Sequence, residues 1–248
     1  MHRFFVDSHQ INENIIRIIG KDVNHIKNVL RFNLKDKVEI VNSTTKQLYI
    51  CEIKALQSDY IECYILEKKK ENNESNIYIH ILQAIPKFEK MEWIIEKCTE
   101  LGVSEFTPVM MNRCIVKLDS KTQDKKIQRW RKIAEVAAKQ SKRDIIPTVN
   151  SCISIDKIYE IVQNYDIVLV AYENEKKYTL KQAIKMEKKN NYRVAIIVGP
   201  EGGISQEEIS KFSLFNFKIV SLGRRILRTE TAPIVMVANI IYELERGD

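Results

Sequence analysis

The chain has few of the residues that signal a specialised architecture. Only 7 glycines and 5 prolines punctuate 248 residues, which excludes a collagen-like or Gly/Pro-rich low-complexity chain. The 5 cysteines are odd in number, and none are spaced C-x-x-C. A disulfide framework and a cysteine zinc site are therefore not expected. The 4 histidines are scattered and form no metal signature. No G-x-G-x-x-G, P-loop or G-x-S-x-G occurs, which counts against a nicotinamide-dependent oxidoreductase, a P-loop enzyme and a serine hydrolase. The longest apolar stretch, Ala232 to Leu244, is broken by Asn239 and is too short to cross a bilayer. The opening Met1-His2-Arg3-Phe4-Phe5 carries no apolar run of signal-peptide length. A soluble cytoplasmic protein with reduced thiols, no membrane segment and no metal is expected.

What is present is an ordinary globular composition, with 44% hydrophobic and 29% charged residues. The length suits one large domain or two modest ones. Lys68 to Asn76 holds nine polar residues without an apolar anchor and reads as a seam. Before it, Lys37–Val41, Gln47–Ile53 and Tyr60–Leu66 alternate with period two, as half-buried strands do. One helix interrupts them, with Asp22 as its expected N-cap and Val23, Ile26, Val29 and Leu30 on one face. A small β-barrel with a helix is expected for residues 1–72, and a second domain for residues 73–248.

Beyond the seam, strands alternate with helices, the pattern of a mainly parallel α/β sheet. Strands are expected at Ile77–Ala84, Glu105–Met110, Asp166–Ala171, Tyr192–Val198 and Phe217–Leu222. Helices are expected at Phe88–Leu101, Lys121–Gln140, Thr179–Lys188 and Thr229–Glu245. Ser205 with Glu208 three residues on makes a capping box, so another helix starts there.

Three segments point to chemistry. Gly199-Pro200-Glu201-Gly202-Gly203 follows a buried strand and holds three of the 7 glycines. Such a loop lets backbone approach a ligand, although a tight strand-to-helix turn would read the same way. Glu201 would repel a phosphate and suits a neutral or cationic ligand. The second segment, Ser221 to Pro233, carries Arg224, Arg225 and Arg228 between a strand and a helix. Either an anion or solvent satisfies such arginines. The third, Lys121 to Arg143, holds nine basic and two acidic residues, a local surplus equal to the +7 of the whole chain. That concentration is the footprint of a phosphate-binding face. A solvated helix face is the alternative.

Taken together, Ile197 to Gly203 and Leu222 to Ala232 resemble the cofactor loops of SPOUT-class RNA methyltransferases. More narrowly, the chain is similar to the bacterial family that methylates N3 of a uridine in 16S ribosomal RNA. Met1 to Val6, His25 to Arg31, Lys97 to Val103 and Ala137 to Arg143 extend the resemblance over nearly the whole chain. One departure is Asn112-Arg113-Cys114, where Glu-Arg-Ser is the pattern. It leaves the arginine in place and puts a hydroxyl contact at position 114 in doubt.

The resemblance implies a PUA-like β-barrel that grips RNA, followed by an α/β domain with a trefoil knot. It implies a homodimer that binds S-adenosylmethionine and acts on 16S ribosomal RNA or the small ribosomal subunit. Cofactor contact is carried onto Ala171, Gly199, Glu201, Gly202, Gly203, Leu222, Gly223, Leu227 and Thr231. Arg228 is expected to stabilise a deprotonated uridine, and Glu230 to take a proton or orient an arginine. Phosphate contact is expected from Arg3, Arg31, Arg113, Lys139, Lys142, Arg143 and Arg224. The remaining readings are a related enzyme acting on another RNA and a non-catalytic RNA-binding factor.

Overall fold

The computed structural model describes residues 1–69, 73–116, 119–185 and 191–245. The chain folds as two units. The first comprises Met1–Glu74 together with Ala138–Ile146, and the second Ser75–Ala137 together with Pro147–Asp248. The boundary at 74/75 falls within the expected seam, whose residues 70–72 lie outside those described. Residues 138–146 pack with the first unit although they lie far beyond its last residue in the chain.

The first unit is built on a six-stranded sheet of order β1-β4-β5-β6-β3-β2. Its strands are β1 (Arg3–Val6), β2 (Ile11–Asn12), β3 (Ile15–Ile19), β4 (Lys37–Asn42), β5 (Leu48–Leu56) and β6 (Tyr60–Lys69). β1 runs parallel to β4 and the other pairings are antiparallel. The period-two pattern sends Val38, Ile40, Cys51, Ile53, Ile61 and Cys63 into one core with Phe4, Ile16, Ile18 and Ile26. The helix α1 (Lys21–Asn24) continues as a wider π turn over His25–Val29. Gly20, at φ 75°, stands at its N-cap. Asp22 is therefore inside the first turn rather than the cap, and it is buried against Lys139.

Four ionic contacts fasten residues 138–146 to the rest of this unit. Arg3 reaches Glu39 at 3.0 Å and Asp144 at 2.6 Å. Lys142 reaches Glu39 at 2.9 Å, Lys139 reaches Asp22 at 2.9 Å, and Arg143 reaches Glu74 at 2.6 Å. Glu74 also accepts the backbone N–H groups of Asp144 and Ile145 at 2.8 and 3.0 Å. Burial opposes ionisation of Glu39, but hydrogen bonds from Lys142 and Arg3 hold its carboxyl below the usual range.

The second unit is a seven-stranded sheet in which every pairing is parallel. Its path is β10 (Ile153–Ser154), β8 (Glu105–Met110), β7 (Tyr78–Ala84), β12 (Arg193–Val198), β11 (Ile167–Ala171) and β13 (Lys218–Val220), with β9 (Thr148–Val149) beside β8. The central strands are mostly apolar because both faces are covered, with His80 and Gln83 as buried polar exceptions on β7. The helices are α2 (Lys90–Glu100), α3 (Ser120–Gln140), α4 (Ile158–Val162), α5 (Leu180–Ala183), α6 (Gln206–Leu214) and α7 (Thr231–Leu244). The capping box forms at the start of α6, where Ser205 Oγ accepts the Glu208 N–H and Glu208 accepts the Ser205 N–H. α5 is shorter than expected, and residues 186–188 of that expected helix lie outside those described.

Candidate active site

Loops leaving the carboxyl ends of β11, β12 and β13 enclose a cavity of about 1020 Å³. Ligands of parallel α/β sheets bind at this end, where strand termini leave loops free to vary. Ala171, Gly199, Glu201, Gly202, Gly203, Leu222, Gly223 and Leu227 all line the cavity, together with Arg224 and Arg228. Segments more than 20 residues apart in the chain thus meet around one space. Thr231 is not part of the lining. It opens α7, and its neighbours Thr229 and Ala232 reach the cavity instead.

Two glycines are required by backbone geometry. Gly203 has φ +72° and Gly223 φ +116°, where L side chains are strained. A Cβ on Gly203 would also run into the Glu173 carboxylate.

The loops are braced from within the fold. Thr229 Oγ1 donates to the Gly199 carbonyl at 2.7 Å and accepts from Gln83 Nε2 at 3.0 Å. Gln83 is fully buried on β7, so a central strand fixes both glycine-bearing loops through one hydroxyl. Arg113, expected on RNA, spends one guanidinium nitrogen on the Gly202 carbonyl at 2.9 Å. Cys114 is buried, and its Sγ accepts the Met111 N–H at 3.4 Å. The thiol closes its own turn and faces away from solvent, so the departure at this position is structural. Burial pushes the thiol up from its ordinary value, against hydrogen bonds from Met111 and Ile85.

The residue that sequence reasoning missed is Lys90. Its Nζ stands 3.0 Å from Glu201 Oε1 and 3.2 Å from Glu230 Oε2, and it lines the cavity. Glu201 also accepts the Lys87 N–H at 3.0 Å. Burial works against the Glu201 charge, but hydrogen bonds from its own backbone, Lys90 and Lys87 hold the carboxyl below the usual range. Hydrogen bonding to Glu201 in turn raises the Lys90 ammonium, with desolvation opposing and Glu230 assisting. Glu201 is thus a loop anchor as well as a wall of the cavity. Glu230 sits in an ion pair rather than alone. A faint signal existed: Lys90 opens α2, and a cation is unfavourable at a helix N-terminus unless something else holds it.

Comparison with known proteins decides the family. Residues 73–241 match the RNA methyltransferase domain family and residues 18–66 match the RNA methyltransferase PUA domain family. The ribosomal RNA small subunit methyltransferase E of Bacillus subtilis (strain 168) is 37% identical, over 100% of both chains. The chain belongs to the ribosomal RNA small subunit methyltransferase E family. Its counterpart in Mesomycoplasma hyopneumoniae (strain 232) is 32% identical over 98% of this chain and 100% of its own. A Neisseria gonorrhoeae member of the family, solved bound to S-adenosyl methionine, superposes with a TM-score of 0.84 at 27% identity over 98% of each chain. The first unit of this family member is accordingly PUA-like.

Family membership brings RNA into view, and the residues expected to grip it separate into two groups. Arg3 and Arg143 are each 4% exposed and sit in the ion pairs that hold residues 138–146. Lys139 and Lys142 are committed to Asp22 and Glu39. In this structure these four cations therefore face acids of the same unit. Arg31 (φ 53°) and Arg224 are exposed. Arg224 belongs to the cavity rim with Arg225 and Arg228, also exposed. Among the described residues no helix is long and apolar enough to cross a membrane, and no cluster of three or more His, Cys, Asp or Glu is placed to hold a metal.

Proposed function

We propose that the protein methylates N3 of a specific uridine in 16S ribosomal RNA, using S-adenosylmethionine, in the cytoplasm where small subunits reside. The observation that carries this reading is the cavity between the glycine-bearing loops, within a chain of this family. Its residues fit the cofactor. The volume suits a nucleoside-sized ligand, Leu222 and Leu227 offer apolar wall for an adenine, and Glu173, Glu175 and Glu201 line the same space as a cation's counter-charges, with Glu201 shared with Lys90. Gly199, Gly202, Gly203, Gly223 and the end of β11 at Ala171 would hold it, with Thr231 acting through the start of α7. When bound, the cofactor supplies an electrophilic methyl group on a sulfonium sulfur.

The chain's own part is to orient a base and manage one proton. The uridine is turned out of its stack into the cavity, because N3 is otherwise hidden. Loss of the N3 proton leaves a negative ring, which Arg228 at the cavity wall stabilises. Glu230, held by Lys90, orients the arginine loop or takes that proton. Alignment of the acceptor nitrogen supplies the remaining acceleration. Arg31 and Arg224 contact phosphates.

The loops around the cavity form a trefoil knot in this reading, and the protein is a homodimer with its interface near them. Exposed Ile226 and Tyr242 supply apolar surface for that contact. Residues 1–72 act as the RNA-gripping domain and residues 73–248 as the catalytic domain, with residues 138–146 docked on the former.

The test is methyl transfer from labelled S-adenosylmethionine to small subunits and to bare 16S RNA lacking the mark, with the product nucleoside identified by mass. N3-methyluridine on either substrate is the expected result. Cofactor binding without transfer would move the reading to another RNA. Neither binding nor transfer would leave a non-catalytic RNA-binding factor.

A further inference from the structure

The basic surplus of residues 121–143 is largely consumed inside the fold. Arg129 pairs with Glu92 at 2.8 Å and Glu89 at 3.5 Å. Arg131 donates to the Val149 carbonyl at 2.9 Å. Lys139, Lys142 and Arg143 are taken by Asp22, Glu39 and Glu74. What remains is Lys121, Lys125, Lys126 and Lys132, all on α3 within the second unit. Lys126 is half-buried, whereas Lys121, Lys125 and Lys132 are exposed and make no ion pair with a described residue.

The three exposed lysines form a row. At about 100° per residue, Lys125 and Lys132 fall roughly 40° and 20° around the helix from Lys121, with the exposed Gln128 between them. At about 1.5 Å per residue the row spans roughly 16 Å. The acids of α3, Asp124 and Glu135, lie on one flank of the row. Asp119, just before the helix, is occupied in accepting the Thr122 N–H at 2.8 Å.

The row works against its own helix. Lys121 and Lys125 are like charges at i,i+4, which destabilise a helix. Lys121 also stands in a first turn that contains no acid, where a cation meets the positive end of the helix dipole. Charges placed against local stability, exposed and left unpaired, are relieved by an external polyanion.

We propose that Lys121, Lys125 and Lys132 of α3 form a track for the RNA phosphate backbone, in place of the segment from Lys139 to Arg143. This rests on the RNA methyltransferase reading above and names the surface that reading needs. A backbone track steers and holds RNA without reading its sequence.

The experiment uses the full chain with lysines 121, 125 and 132 all changed to Gln. RNA affinity is measured by filter binding to bare 16S RNA and to small subunits across a salt series, with S-adenosylmethionine affinity measured by calorimetry. Removing three phosphate contacts should lower the slope of log affinity against log salt by about two to three. Affinity at low salt should drop roughly tenfold or more, with cofactor affinity unchanged. The triple Arg variant, which keeps the charge, should bind as the wild type does. Lys181→Gln with Lys185→Gln, a change elsewhere on the second unit, should leave the slope alone.

Unchanged affinity and slope in the Gln variant would overturn the track and leave a solvated helix face. A loss confined to assembled subunits, with bare RNA bound normally, would also overturn it, by pointing to a ribosomal protein. The function reading fails separately, if the wild type itself neither binds nor methylates RNA.

Discussion

Lys90 shows how one side chain sets the geometry of a cavity. It opens α2 but answers to Glu201 and Glu230, which lie on two different loops. The three side chains are 28%, 26% and 16% exposed, so solvent screens the pairs and each contributes about 1 kcal/mol at most. Lys90→Met should therefore weaken S-adenosylmethionine binding by roughly three- to tenfold, while Lys90→Arg retains it. Titration calorimetry on both variants checks this. Unchanged binding in Lys90→Met would mean that the Thr229 hydroxyl and Gln83 hold the loops without help. Gln83 is the complementary case, a buried amide whose Nε2 donates to the Thr229 hydroxyl and to the Ala84 carbonyl.

At the scale of the element, the end of α3 and the turn after it act as a strap. Residues 138–146 are fastened to the first unit by charges of very different burial. The Arg3 and Asp144 side chains are each 2% exposed, whereas Lys142 is 39% exposed. Removing one partner of a buried pair strands the other charge, at about 3–5 kcal/mol. Removing an exposed partner costs under about 1 kcal/mol. Arg3→Met should thus lower the urea midpoint markedly and Lys142→Met hardly at all. Equal effects of the two would show that the strap is held by packing rather than by the buried pair.

At the scale of the whole molecule, acid stability turns on His80. The ring is fully buried between Tyr165 OH at 2.8 Å and Thr107 Oγ1 at 2.7 Å. Glu105 stands 3.6 Å from it and accepts from Tyr78 and Asn150. Arg193 lies over the Tyr78 and Tyr165 rings. Burial lowers the His80 imidazole from 6.5 to about 4, with Glu105 opposing and Arg193 assisting. The unfolded chain therefore binds this proton first as pH falls. The stability contributed is complete above about 6.5 and is lost progressively toward pH 4. Urea midpoints at pH 7.5 and 4.5 should differ accordingly, and His80→Gln should flatten part of that difference. A wild-type midpoint independent of pH across this window would refute the assignment.

Local pattern alone set out the elements and the loops. Period-two runs placed β4, β5 and β6, apolar runs placed the central parallel strands, and Ser205 with Glu208 placed the start of α6. Glycines marked the two loops that meet at the cavity, because a backbone conformation belongs to its own residue. The charges were another matter. Arg3 and Asp144, or Lys90 and Glu201, are more than a hundred positions apart, and nothing along the chain says that they touch. Coulomb attraction depends on distance in space and on exclusion of water, so only the tertiary structure decided which cations are spent on acids. What stayed exposed after that pairing, at the cavity rim and along α3, is the surface left to meet a ligand.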